Sequence, residues 1–236
     1  MGMIQKKTCV IMQPTYLPWI GYFDLIQRSN VFVFLNDVQF SKQSWQVKNK
    51  INSQGKELIL TVPVKKTKLA TNIDQIIIDQ SKPWKKKHLK SIYYSYVKSD
   101  FFREIYPIIE QLFSNQTDSL AEFNMEIIKT ISHKLFGQKE FIDSRDLEIN
   151  SKDKLDRIVQ ICKTVNATEY LSPAGSMGYL EEMNYKERFS EVSLDFAAQN
   201  YLPVSYQQIS NSDFLPYLSI IDLLFNKGFN KSQKTI

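Results

Sequence analysis

The sequence predicts an α/β protein in which a mixed sheet carries an additional helical lobe, and three observations lead there. Strand-length apolar runs at residues 8–12 and 31–35 bracket a segment with helical spacing. Residues 83–137 then read as consecutive helices without an intervening strand. From residue 151 onward, helical and strand patterns alternate again, as βα units do. The 236 residues, 43% hydrophobic and 13% aromatic, suffice for a large buried core. They are read as one α/β domain over 1–236 with a helical insertion over 83–137.

Thr8 to Met12 has Val and Ile at its centre, the composition of a buried first strand. Pro14 and Pro18 stop both the ladder and an early helix. Gln13, Thr15, Tyr16 and Trp19 are thereby left at the carboxyl end of that strand, the edge where open α/β sheets bind ligands. From Ile20, the positions Tyr22, Phe23, Leu25 and Ile26 give a helix, and Gly21 permits close approach in its first turn. Val31 to Leu35 is a second buried strand, delivering Asn36 and Asp37 to the same edge, with Gln39 close behind. Residues 58–64 and 73–78 are further β-rich runs. No helix-length segment separates them, so the sheet is expected to be mixed.

A helix opens after Ser81-Lys82-Pro83, with Trp84, His88, Ile92 and Tyr96 recurring every four residues. Helices over 101–113 and 119–135 follow, the second closed by Gly137. Ser151 is the expected cap of a helix over 152–165, and a strand succeeds it. Residues 180–189 read as a helix, 192–196 as a strand, 209–214 as a loop, and 218–225 as a final helix stopped by Gly228.

The composition excludes several classes. No run approaches the roughly 20 apolar residues that span a bilayer, and the apolar run after Lys6-Lys7 is only strand-length, so a cytoplasmic protein without a spanning or export segment is expected. Cys9 and Cys162 lack CxxC spacing or an adjacent His and read as free structural thiols; no metal is expected. Of a net charge of +5, residues 38–100 alone contribute +9, from thirteen Lys against four carboxylates. That asymmetry suits a phosphate-bearing partner, a nucleotide-sugar, a coenzyme thioester or RNA, or else marks a solvated lysine face.

Two groups of residues carry the remaining signals. Lys42, Trp45, Lys48, Asn49 and Lys50 combine a stacking ring, cations and an amide, a set suited to a sugar phosphate or nucleotide, although Trp45 also fits a core anchor on a strand. Ser172, Gly175, Ser176 and Gly178 precede a helix, where backbone N–H groups can form a phosphate-cradling nest with Tyr179 as lid. With two histidines in the chain, general-base candidates are few: His88, one turn beyond Trp84, leads, and Asp37 is the alternative. A histidine packed on Trp84 is the competing reading.

The wording Gln13-Pro-Thr-Tyr-Leu-Pro-Trp-Ile-Gly-Tyr-Phe followed by Asn36-Asp-Val-Gln-Phe resembles the WbqC-like family of bacterial proteins. The resemblance extends through Leu60-Thr-Val-Pro-Val, Trp84 with His88, Tyr170-Leu-Ser-Pro-Ala-Gly-Ser and the stretch from Leu218 to Gly228. It implies surface-polysaccharide or O-antigen biosynthesis and transfer of glycine or another acyl group onto a sugar, with His88 accepting a proton from the acceptor. This chain departs from the family wording with Asn36 before Asp37 and Lys48 before Asn49, where Asp and Arg are common. A point charge thus replaces a planar bidentate grip. Trp19-Ile-Gly-Tyr22 is also similar to the turn of HxGH nucleotidylyltransferases, which implies a Rossmann-like nucleotide site. Both imidazoles are absent, and with them the groups that stabilise the transferred phosphate. The expected partner is a small phosphate-bearing substrate such as a nucleotide-sugar or activated acyl donor; a degenerate nucleotidyl-transfer site and an RNA-binding or carrier module are the alternatives.

Overall fold

The β-branched and aromatic runs at 8–12 and 31–34 become strands, and the segment Trp84–Tyr96 with four-residue apolar spacing becomes a helix. The computed structural model describes residues 6–209 and 213–236. In chain order the elements are β1 (Thr8–Met12), α1 (Ile20–Arg28), β2 (Val31–Phe34), β3 (Lys48–Ser53), β4 (Lys56–Thr61), α2 (Trp84–Tyr96), α3 (Phe102–Ser114), α4 (Leu120–Phe136) and β5 (Glu140–Asp143). There follow α5 (Lys154–Thr164), β6 (Glu169–Ser172), α6 (Met177–Glu182), α7 (Tyr185–Ser190), β7 (Asp195–Ala198) and α8 (Ile220–Ser232). The chain forms two compact units. One comprises residues 1–13, 24–36 and 138–202, and the other 14–23, 37–137 and 203–236.

The first unit holds a five-stranded sheet in the order β5-β2-β1-β6-β7, parallel throughout, a Rossmann-like arrangement. Register is set by β1 against β2, with Cys9 opposite Val31 and Met12 opposite Phe34. The period-two alternation of strand side chains sorts this sheet cleanly. Cys9, Ile11, Val31 and Val33 bury against Leu155, Ile158, Val159 and Cys162 of α5. On the alternate positions Phe34 stacks on Phe141 at 5.4 Å between centroids, with Phe32 edge-on to both. Both cysteines are free and buried.

In the second unit β3 and β4 form a separate antiparallel pair. Their connection is two residues long, Gln54 and Gly55, both with positive φ (54° and 81°). A turn of that length and handedness builds only a hairpin. The expected mixed sheet is thus resolved into one parallel sheet and one hairpin. The run at 73–78 is no strand: Ile73–Gln75 is a 3₁₀ turn, closed by Gln75 N–H donating to the Asn72 carbonyl at 3.1 Å, and Ile77 and Ile78 make only isolated bridges. Helices α2, α3, α4 and α8 complete this unit, with Trp84, His88, Ile92 and Tyr96 forming the buried stripe of α2.

Other boundaries shift for local reasons. Asp153, not Ser151, caps α5, its carboxylate accepting from Asp156 N–H at 2.8 Å. Asn184 adopts a left-handed conformation (φ 52°) and breaks the helix expected over 180–189 into α6 and α7. The last strand begins at Asp195 because Leu194 N–H is still bonded to the Phe189 carbonyl. Gly228 is non-helical (φ 67°, ψ 174°) and stops the first helical stretch of α8 as expected, a second stretch following it, with Phe101 packed where a Cβ would stand. Of the loop expected over 209–214, residues 210–212 lie outside the described residues.

Candidate functional site

The first unit places a polar edge where its strand order reverses. From β1 the chain builds outward through β2 to β5, then resumes on the opposite side of β1 with β6 and β7. Ligands of open parallel sheets bind outside the carboxyl ends of the strands at such a reversal. Gln13 directly follows β1, and Ser172 closes β6. Ser172 is fully buried; its hydroxyl donates to the Pro173 carbonyl at 3.2 Å, and its own carbonyl accepts from Gln199 N–H at 2.8 Å. The Gln199 amide donates in turn to Asp24 at 2.7 Å, a buried contact that ties the end of β7 to α1.

At the β2 and β5 ends, Asn36 is fully buried and bonded on three sides. Its N–H donates to Ser144 Oγ (3.2 Å), its carboxamide oxygen accepts from the same hydroxyl (3.3 Å), and its Nδ2 donates to Asp143 (3.0 Å). Arg145 grips Asp143 through Nε and Nη2, the latter at 2.7 Å. Burial alone pushes the Asp143 carboxyl up, but the hydrogen bonds from Arg145 and Asn36 outweigh it and hold the group below its usual range. At the β2 and β5 ends the polar side chains of Asn36, Asp143 and Ser144 are therefore held by one another.

The segment Pro173–Tyr179 lies beside this edge in sequence and fold. Neither Gly175 nor Gly178 has a positive φ, and residues 174–176 are a 3₁₀ turn in which Ser176 N–H donates to the Pro173 carbonyl at 3.0 Å. Ser176 N–H is thus engaged within the turn rather than free to cradle a phosphate. The turn is open: a Cβ at Gly175 or Gly178 would meet nothing within 4 Å. Tyr179 is half-buried, packs on the core and carries Lys154 Nζ 5.8 Å from its ring centroid.

In the second unit the Pro14–Trp19 segment is clamped by side-chain amides. Asn49 Nδ2 donates to the carbonyls of Tyr16 (3.2 Å) and Leu17 (2.8 Å), and Tyr16 N–H donates to the Trp45 carbonyl (2.9 Å). Asn124 Nδ2 bridges the Pro14 and Gln46 carbonyls at 3.3 and 2.8 Å. Leu17, held at φ 41°, sits in a conformation that such a clamp must stabilise. Asn49 and Tyr16 thus serve the interior. Gly21 has a packing reason as well, because the Trp19 indole occupies the place of its missing Cβ. Tyr22 is buried, and desolvation raises its hydroxyl well above the ordinary range. Thr15, Asp37 and Lys48 are half-buried, while Gln39 and Lys42 are exposed. Trp45 is no core anchor; half its surface is exposed, and Lys50 Nζ lies 5.9 Å from its ring centroid while pairing with Glu57.

His88 is 7% exposed within a cluster of Tyr16, Trp84, Phe113 and Phe123. Its Nδ1 lies 2.8 Å from the Tyr16 hydroxyl, and its ring also bonds to the Thr61 carbonyl. A carbonyl only accepts, so the ring nitrogen facing Thr61 carries the proton and Nδ1 receives the tyrosine O–H. Desolvation lowers its pKa to about 4, against a smaller upward pull from Thr61. At neutral pH this imidazole is uncharged and engaged at both nitrogens, the state of a clamp rather than of a free proton acceptor.

Asp24, Asn124, Asp143, Ser144 and Gln199 were not among the residues that sequence reasoning selects. Asn124 had a visible signal, an amide set among Phe123, Met125, Ile127 and Ile128 on an apolar helix face. The Asp24–Gln199 contact spans 175 positions and leaves no local trace. Among the described residues no cluster of three or more His, Cys, Asp or Glu is placed to hold a metal ion, and no helix is long and apolar enough to cross a membrane.

The chain is 32% identical over 225 residues to the uncharacterized protein Rv1507c of Mycobacterium tuberculosis, with 94% of each chain covered. No solved structure matches it. Residues 13–234 match the WbqC-like protein family, a span that takes in the clamped loop, the hairpin, the helices and the polar end of β6. The chain belongs to the WbqC-like protein family.

Proposed function

We propose that the protein binds an activated, phosphate-bearing molecule, a nucleotide-sugar or an acyl donor, over the carboxyl edge of its parallel sheet. It would act there as a transferase of bacterial surface-glycan biosynthesis, moving glycine or another acyl group onto an amino sugar. The observation that carries this reading is the reversal of strand order between β1 and β6, with Gln13 and Ser172 at the two strand ends and the open Gly175–Gly178 turn beside them. The fixed Asn36–Ser144–Asp143 and Gln199–Asp24 contacts support it, since positioning a reactive donor requires side chains that do not reorganise. The new C–N bond replaces the bond to the donor's leaving group, and the amine proton departs with that anionic group or to solvent, so the reading makes no demand on His88 as a base.

The test is thermal stabilisation of the full chain by UDP-, CMP- and GDP-sugars, ATP, coenzyme A and tRNA. One class of small nucleotide-containing ligand should stabilise the protein, and Gln13→Ala and Ser176→Ala should each weaken its binding about fivefold, the equivalent of one hydrogen bond. Failure of every small ligand would overturn the proposal. So would binding of tRNA alone with a steep salt dependence, which marks a phosphate-tracking surface instead.

A further inference from the structure

A second concave surface lies wholly within the second unit, between α2 and α3, with a volume of about 450 Å³. Its floor is aromatic. Tyr93 meets Tyr94 and Tyr106 edge to face at 5.5 and 5.6 Å, and Tyr93 and Tyr94 are 40% and 66% exposed. Tyr93 is packed on one side against Phe102 and Tyr106, whereas Tyr94 keeps most of its surface open to the groove. Lys86 and Lys90 line the same groove, Lys90 Nζ standing 5.9 Å from the Tyr94 centroid. Helix α2 has four lysines and no acidic residue, so the field along it is positive. One carboxylate enters from the other wall: Glu110 accepts a hydrogen bond from the Tyr106 hydroxyl.

We infer that this groove binds an anionic saccharide, a sugar bearing carboxylate or phosphate. Sugar rings present C–H faces that lie on aromatic platforms and hydroxyls that need both donors and acceptors, while the anionic substituent needs a cation. Tyr93 and Tyr94, Tyr106 with Glu110, and Lys86 with Lys90 supply these in one concavity. A nucleic-acid backbone carries a phosphate at every residue and would meet Glu110 as well as the lysines, whereas a sugar with one anionic substituent can set that group on Lys86 and Lys90 and a hydroxyl on Glu110; a bilayer surface would engage a convex apolar face rather than a groove with a carboxylate in its wall. The inference stands apart from the sheet-edge proposal, because the groove residues take no part in that edge.

Calorimetric titration of the full chain with trigalacturonate, glucose 1-phosphate, neutral maltotriose and inorganic phosphate tests it. Trigalacturonate or glucose 1-phosphate should bind saturably. Maltotriose should bind at least about tenfold more weakly, through loss of charge-assisted contacts, and Tyr94→Ala should weaken the anionic sugars about tenfold through loss of the stacking face. Lys90→Gln should do so with a reduced salt dependence, and none of these exposed-surface changes should alter stabilisation by a nucleotide ligand. Undiminished affinity in Tyr94→Ala, full competition by inorganic phosphate, or no saturable binding would overturn the inference. Tighter binding to phosphatidylglycerol vesicles or to oligouridylate, lost in the same two variants, would overturn it in favour of a membrane or RNA surface.

Discussion

The Tyr16 hydroxyl and His88 Nδ1, 2.8 Å apart in a buried aromatic cluster, join the Pro-Thr-Tyr turn to the first turns of α2. The pair has a pH signature. The folded pKa of about 4 lies below the unfolded value near 6.5, so between those limits the unfolded chain takes up a proton that the native one does not. Stability is therefore complete above about pH 6.5 and falls as pH drops toward 4, by about 3 kcal/mol in all. Urea titrations from pH 4 to 8 should show that slope in the wild type and a flatter one in His88→Gln. The same variant should melt lower at pH 7 and keep any transferase turnover. A drop of a hundredfold or more in turnover with an unchanged melting point would return His88 to the role of base.

Gly21→Ala should displace the Trp19 indole, which lies over the glycine and meets Tyr217 at 5.6 Å. Overpacking of this kind costs about 1–3 kcal/mol, reduced if the ring can swing outward. Tryptophan emission should shift to the red along with a lower melting temperature. An unchanged spectrum would mean that the indole packing is not what requires glycine.

Asp222, fully buried, accepts from Tyr96 (2.8 Å), Tyr206 (2.7 Å) and Gln208 (2.9 Å). Burial raises its carboxyl above the ordinary range against the pull of those three donors. Gln208 also closes on Leu215 through both its oxygen and its nitrogen. Asp222→Ala removes the acceptor shared by three buried donors and should cost about 3–5 kcal/mol. Amide exchange should quicken around residues 206–208 and 215 before the rest of the unit. Uniform exchange would show that Asp222 does not organise that segment.

Lys139 donates to the carbonyls of Gln27 and Ser29 at 2.9 and 3.1 Å, closing the carboxyl end of α1. Desolvation lowers its pKa, the cost of holding an ammonium there. Lys139→Met keeps the stem and removes the donor, and should cost about 1 kcal/mol by denaturant titration, the scale of a cation at a helix terminus. No loss would assign the lysine to solvent.

Local pattern alone determined much of this protein. The apolar runs of β1 and β2, the four-residue stripe of α2 and the caps of α4 are fixed by neighbours in sequence, which is why they could be read there. The polar ends of β1, β2 and β6 follow from the same patterns, because prolines and short strands place Gln13, Asn36 and Ser172 without reference to the rest of the chain. Tertiary structure alone decided the remainder. The strand order that makes an edge into a crevice depends on which strands pair across more than a hundred residues, as Cys9 with Tyr170 does. Whether a polar side chain faces a ligand or a carbonyl is likewise settled by its surroundings. Asn49 and Tyr16 hold the loop and its packing, Asp24 finds Gln199 from the far end of the chain, and His88 loses its charge because apolar rings surround it. Those outcomes come from desolvation and long-range geometry, which no short stretch of sequence encodes.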